Sequence, residues 1–234
     1  MIRDVGVIVP AANEAQHLSD CLRAVRRSHR HLITSCRREI RVRIVVVLDS
    51  CTDDSALIAE GFRGVETVSV QAGCVGSARY AGVTHILSGR TPAIETWLAN
   101  TDADSQVPPH WLAAMVEEAD RGAHVVLGTV RPGPGLPSDI STDWHARHVE
   151  RDGHPHVHGA NFGIRTDAYL ALGGWPSVFS GEDELLAARA SAAGRLHVVR
   201  TGRLPVLTST RLHGRAPHGF SSYLRGLSAR TQGR

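Results

Sequence analysis

Lysine is absent from this chain: all 26 basic residues among its 234 positions are arginine. That excludes a P-loop lysine reaching for nucleotide phosphates, a Schiff-base amine and the ion-pair lysine of a kinase. With Ala and Gly abundant, the arginine excess carries the stamp of a GC-rich coding sequence. A single arginine is therefore weaker evidence of phosphate recognition than usual. Long apolar runs are missing as well, since none approaches the ~18–20 residues that span a bilayer. Met1-Ile2-Arg3-Asp4-Val5 leads straight into a strand-like run, so no signal peptide is expected. The four cysteines, Cys21, Cys36, Cys51 and Cys74, form no CxxC pair. That argues against a zinc ribbon or disulfide framework and sets the expectation of a cytoplasmic protein. The net charge of +3 gives no reason to expect a nucleic-acid partner. No GxGxxG follows the first strand, which disfavours a dinucleotide-binding oxidoreductase.

What is present suits one compact α/β domain, because 42% of the residues are hydrophobic, enough for a real core. Val5–Val9 reads as a buried strand ending at Pro10. Asn13 is positioned to cap a helix over Glu14–Arg27, whose Leu18, Leu22 and Val25 share one face. The Arg- and His-rich stretch 26–43 reads as a solvated helix end and loop, with contact to an anionic membrane as the alternative. Val42–Leu48 and Val65–Val70 are strands around a helix reaching Phe62. A helix over Gly73–Leu87, a strand at Thr96–Asn100, a helix from Pro108 to Arg121 and a strand at Val125–Val130 follow. Beyond the Pro/Gly-rich 131–137, helices are expected at Ser138–Arg151, Thr166–Leu172, Glu182–Ala193 and Phe220–Leu227, and a strand at Val206–Leu212. The alternation predicts an open, mainly parallel sheet with helices on both faces. Ligands then bind beyond the carboxyl ends of the strands, where Asn13, Asp49 and Asp102 fall.

Two acidic clusters carry chemistry. Asp102-Ala103-Asp104 follows a buried strand, and two carboxylates one residue apart can share a pocket. Hard divalent cations take such oxygens and bridge them to diphosphate, neutralising a leaving group. Otherwise one Asp caps the turn and the other is solvated. Glu182-Asp183-Glu184 opens a helix, which is either an ordinary dipole complement or a source of a general base.

Seven blocks in order, Val7-Ile8-Val9-Pro10-Ala11-Ala12-Asn13-Glu14, Val46-Val47-Leu48-Asp49-Ser50-Cys51-Thr52-Asp53-Asp54-Ser55, Ala78-Arg79-Tyr80-Ala81-Gly82, Asp102-Ala103-Asp104, Gly159-Ala160-Asn161-Phe162-Gly163, Gly173-Gly174-Trp175 and Glu182-Asp183, resemble family 2 glycosyltransferases with a GT-A fold, over residue 5 to about 200. The resemblance implies a single GT-A domain with a nucleotide-sugar-binding half at 1–104 and an acceptor-binding half at 105–234. It implies transfer from a UDP- or GDP-type sugar to an acceptor hydroxyl on a small molecule or lipid, by an inverting displacement. Pro10, Ala11 and Glu14 should flank the nucleoside, Asp49 approach the base, and Arg79 lie near the nucleotide. Asp102 and Asp104 should hold Mg²⁺ or Mn²⁺ and the diphosphate, and Asp183 should be the base. Gly159 and Asn161 should face acceptor or donor sugar, with Glu182 and Trp175 beside them. Two departures stand out: Leu48 takes the first place of a usual acidic pair, and Asn-Phe-Gly replaces Asn-apolar-Ala. His213 is the candidate for a late metal ligand, with His218 as second choice, and Arg211 and Arg215 could clamp diphosphate oxygens.

His145, His148, His154, His156 and His158 suggest a mobile acceptor-side loop closing over the donor, with a structural metal as the alternative. Trp144 and Trp175 either stack on a sugar or pack in the core. A retaining transferase, a sugar nucleotidyltransferase and a non-catalytic relative are the rivals. A homodimer and a peripheral position at a membrane are compatible with the sequence.

Overall fold

The computed structural model describes residues 1–89, 92–211 and 220–231. The chain runs β1 (Asp4–Ala11), α1 (Leu18–Ser35), β2 (Arg41–Asp49), α2 (Ser55–Glu60), β3 (Val65–Val70), α3 (Val75–Leu87), β4 (Thr96–Asn100), β5 (Ser105–Gln106), α4 (Trp111–Asp120) and β6 (Val125–Pro132). It continues through α5 (Ser138–Arg147), β7 (Phe162–Arg165), α6 (Thr166–Ala171), α7 (Glu182–Ala192), β8 (Val198–Thr208) and α8 (Phe220–Thr231). One sheet holds all eight strands in the order β3-β2-β1-β4-β7-β6-β8-β5. The first four are mutually parallel. β7 then runs antiparallel to both β4 and β6, β8 returns parallel to β6, and β5 pairs antiparallel with β8.

Side-chain alternation explains why helices cover both faces. Along β1, Val5, Val7 and Val9 join the core beneath α1 and α4, while Ile8 joins the core beneath α3 and α7. Along β2, Ile44, Val46 and Leu48 face the first core, and Val45 and Val47 the second. A strand apolar at every position must be covered twice, because each successive side chain points to the opposite face. Gly82 sets the seat of α3: a Cβ there would lie 2.7 Å from Ile8 Cγ2 and 2.9 Å from Val47 Cγ2, so only hydrogen lets this helix settle on the strands.

Three expectations shift. α1 begins later, with His17 as its N-cap, and continues to Ser35. Its Arg-rich part is the solvated face of a helix whose other face buries Val25, Ser28 and Leu32. Asn13 caps nothing. It sits in the left-handed region at φ 55°, and its Oδ1 accepts from the amides of Thr52 (2.7 Å) and Asp53 (3.2 Å). The strand expected at 206–212 starts earlier, at Val198, and ends at Thr208. Among the described residues, no helix is long and apolar enough to cross a membrane.

Candidate active site

The carboxyl ends of β1, β2 and β4 meet in one region, and their loops are tied together. Besides Asn13, Asp53 bridges the first two loops: its Oδ2 accepts from Ala15 N at 2.9 Å and its Oδ1 from Ser55 N at 3.0 Å. Pro10 and Ala11 close β1 at this edge. Asp49, at the end of β2, is buried, and its Oδ1 accepts from the amides of Ala72 (2.8 Å) and Gly73 (3.1 Å). That oxygen thus holds the loop into α3.

The centre is acidic, with two arginines inside it. Arg79, on α3, is only 1% exposed, and its charge is met from two sides. Nη2 donates to Asp102 Oδ1 at 2.5 Å, and Nε donates to Glu182 Oε1 at 3.2 Å. Its guanidinium carbon lies 5.3 Å from the centroid of Trp175. Burial acts against the charged form, but Asp102, Glu182 and Asp183 outweigh it and keep the guanidinium protonated. Arg79 Nη1 is buried with no hydrogen-bonding partner among the described residues, so the guanidinium has a donor to spare.

Arg211 serves the second group. Its Nη1 and Nη2 donate to the two carboxylate oxygens of buried Glu14 at 2.8 and 2.7 Å, and Nη2 lies 2.9 Å from Asp104 Oδ2. Burial, then repulsion from Asp102, push Asp104 up to about 6, although Arg211 pulls the other way. Glu14, Asp102, Asp104, Glu182 and Asp183 thus set five carboxyl groups, all hard oxygen donors, against the guanidiniums of Arg79 and Arg211 among the described residues. This donor set suits Mg²⁺ or Mn²⁺.

Asp183 is the second residue of α7, whose N-cap Gly181 takes the left-handed conformation at φ 79°. Its Oδ2 accepts from Gly159 N at 2.6 Å and its Oδ1 from Glu184 N at 2.9 Å. Burial raises the pKa of Asp183, and Arg79 limits the rise. Burial likewise raises that of Glu182, again opposed by Arg79. Gly159 is confined: a Cβ there would fall 2.6 Å from Arg79 Nη2 and 3.3 Å from Glu182 Oε1. Arg79 thus joins the 102–104 turn to the head of α7.

The structure gives two expected substrate contacts other work. Asn161 is fully buried, and its amide is spent internally. Nδ2 donates to Leu204 O (2.6 Å) and Thr129 O (2.8 Å), while Oδ1 accepts from Trp111 Nε1 (2.8 Å). It locks the turn before β7 to β6, β8 and α4, and does not present its amide to the cleft. Trp175 is 3% exposed, packed against Phe162 with centroids 5.0 Å apart and lying under Arg79. It supports the arginine from the core, so it offers no open face to a sugar. Trp144 is buried too. His213, Arg215 and His218 lie outside the described residues.

Sequence reading missed the carboxylate of Glu14 as a neighbour of Asp104, the Gly159 amide as anchor of Asp183, and Cys21, whose Sγ donates to Asp102 O at 3.3 Å. No local pattern marks these contacts, which join positions far apart in the chain. The His-rich segment is packed: Trp144 stacks on His148 with centroids 3.2 Å apart, and His148 on His156 at 4.3 Å. Burial lowers the pKa of His158 to about 3 and that of His148 to about 4, with neighbouring imidazoles adding to each shift.

Comparison with known proteins bears on the family and the fold. The sequence model of the family described as glycosyl transferase family 2 matches residues 6–173. An uncharacterized glycosyltransferase of Mycobacterium tuberculosis is 33% identical over 132 residues, covering 56% of this chain and 51% of that protein. An undecaprenyl-phosphate 4-deoxy-4-formamido-L-arabinose transferase of Pseudomonas savastanoi pv. phaseolicola is 31% identical over 130 residues, covering 56% of this chain and 36% of that one. The chain spans about half the length, or less, of these curated relatives. Among solved structures, S. aureus TarS in complex with UDP superposes with a TM-score of 0.64 at 15% identity, covering 89% of this chain and 61% of that one. A Pyrobaculum calidifontis mannosyltransferase in complex with GDP-Man and Mn²⁺ gives 0.59 at 20% identity, covering 96% and 60%. The fold is GT-A.

Proposed function

Because this chain belongs to glycosyl transferase family 2, we propose that it transfers a sugar from a UDP- or GDP-type donor to a hydroxyl of a small-molecule or lipid acceptor, with inversion at the anomeric carbon. The observation that carries this is Arg79, which holds Asp102 and Glu182 together and so sets the acidic turn beside Asp183. The turn and the base must share one cleft for a displacement, and a single buried guanidinium spans them.

Asp102 and Asp104 hold Mg²⁺ or Mn²⁺ in this reading, with Asp104 the principal ligand and Glu14 adding to the negative field. The solved relative with GDP-Man and Mn²⁺ supports this choice. When bound, the ion neutralises charge on the departing diphosphate. Arg211 exchanges Glu14 and Asp104 for diphosphate oxygens, to which a guanidinium bonds in the same forked manner. Pro10, Ala11 and Asp49 line the nucleoside end. Asp183 takes the proton of the attacking hydroxyl, and the Gly159 and Glu184 amides hold its carboxylate in place. General-base help of this kind is worth ~10²–10⁴-fold. His213 as a further ligand and Arg215 as a second clamp belong to the same reading, as do a cytoplasmic location and a peripheral approach to a lipid acceptor.

The test is a pair of variants in donor titrations and turnover assays. Asp183→Asn is expected to lose ~10²–10⁴-fold in turnover while binding the nucleotide-sugar normally. Asp104→Ala is expected to lose the Mn²⁺-dependent part of donor affinity in calorimetry. Equal loss of donor affinity in Asp183→Asn would remove it as a dedicated base. Retention of configuration in the product would replace the inverting step.

A further inference from the structure

A second group of ligating side chains lies outside the acidic cleft. The segment between α5 and the turn at Gly159 brings His148, His156 and His158 together, with one ring nitrogen from each within 4.8 Å of the others. We propose that these three histidines form a binding site for one divalent transition-metal ion of the Zn²⁺ type, separate from the carboxylate site at Asp102 and Asp104.

Three features carry this. First, the donor set is chemically selective: imidazole nitrogen suits zinc, nickel, copper and cobalt, whereas carboxylate oxygen suits magnesium and manganese. Second, the backbone bearing the rings is fixed in place. Arg200 Nη1, on β8, donates to the carbonyls of Pro155 and His156, both at 3.1 Å, and Gly153 N donates to Arg200 O at 2.9 Å. Asp152 Oδ1 accepts from Thr201 Oγ1 at 2.9 Å and Gly202 N at 3.1 Å. On the other side, His148 is held by its place at the end of α5, where its amide donates to Trp144 O at 2.9 Å. Third, His158 Nε2 is buried with no hydrogen-bonding partner among the described residues. A buried polar nitrogen without a partner is costly, and a metal bond would satisfy it.

Zinc–nitrogen bonds of ~2.0–2.1 Å place tetrahedral ligand atoms about 3.3 Å apart, so loading would turn His148 and His156 out of their 4.3 Å stack until their in-plane lone pairs meet on one ion. Three imidazoles leave a fourth position for water or another oxygen. His158 directly precedes Gly159, whose amide anchors Asp183. An ion here would brace the loop next to the base without touching the acidic turn.

The full chain is stripped with chelator, dialysed against Zn²⁺, desalted and assayed by elemental analysis. A parallel sample with Co²⁺ is read by visible absorption, which is strong for four-coordinate and weak for six-coordinate cobalt. One ion per chain is expected, together with four-coordinate cobalt bands. Both are expected to be lost in His156→Gln and His158→Gln and kept in Asp104→Ala. His148→Asn serves as a second route should His158→Gln fail to fold, as judged by circular dichroism without metal. Absence of a retained ion, unchanged binding in the folded histidine variants, or loss in Asp104→Ala alone would each overturn the proposal.

Discussion

Arg79→Met removes the cation that, among the described residues, pairs with both acidic elements, while keeping most of the apolar stem that packs near Trp175. Glu182, at 4% exposure, is then a buried carboxylate without its guanidinium. Removing one partner of a buried ion pair costs ~3–5 kcal/mol, because the remaining charge has lost its solvent and its counterion. Asp102 is 38% exposed in its side chain and adds little to that sum, since water screens it. In urea, with a slope near the upper end of ~1–3 kcal/mol/M, the midpoint is expected to fall by about 1–2 M at neutral pH. The deficit should also depend on pH with a defined sign. Burial already raises the pKa of Glu182, and Arg79 is what opposes it, so the variant's Glu182 lies higher still. A carboxyl with a raised folded-state pKa stabilises the fold below its unfolded value, and that contribution is lost as pH rises through the folded value. The variant should therefore recover relative to wild type on acidification from neutral pH. A midpoint shift below about 0.3 M, or a deficit that grows as pH falls, would refute the view that Arg79 neutralises a buried carboxylate.

Asn161→Ala should cost about 2–4 kcal/mol in urea unfolding, because Trp111 Nε1 and the carbonyls of Thr129 and Leu204 lose a buried partner. The KM for the donor should stay unchanged in the folded protein, and a raised KM would place its amide at the substrate after all. Glu66→Gln should destabilise by under about 1 kcal/mol at neutral pH, since the pair with Arg43 and His85 is partly exposed. Hydrogen bonding to Arg43 lowers the Glu66 pKa to about 2, so its stabilisation is present above the ordinary carboxylate range and fades as pH falls through about 2. Wild type and variant should therefore converge in acid-unfolding curves at the low end, and a constant gap would count against the pairing.

The parallel half was legible because β1, β2 and β4 are continuous apolar runs, which only a doubly covered sheet accommodates. β7 was not. It has four residues, and its Gly163 is a poor strand former that makes sense only beside Trp97, whose Cζ2 would sit 2.6 Å from an added Cβ. α1 was read short because charge was taken as a sign of loop, whereas a helix with one buried face carries arginine freely on the other. The acidic turn and the head of α7 were found from residue type and spacing. The work of Asn161 and Trp175 was not, because each is defined by partners 30 or more positions away: Thr129, Leu204 and Trp111 for the first, Arg79 for the second.

The position of β7 bears on how the two proposed halves depend on each other. Its four residues supply every strand hydrogen bond on the far side of β4, although some sixty residues separate them along the chain. A chain ending at the 104/105 boundary would present the apolar β4 as an uncapped border, open to strands of other molecules. During synthesis that border stays open until the segment after residue 161 has emerged, so the sheet of the first half is completed only by a strand of the second.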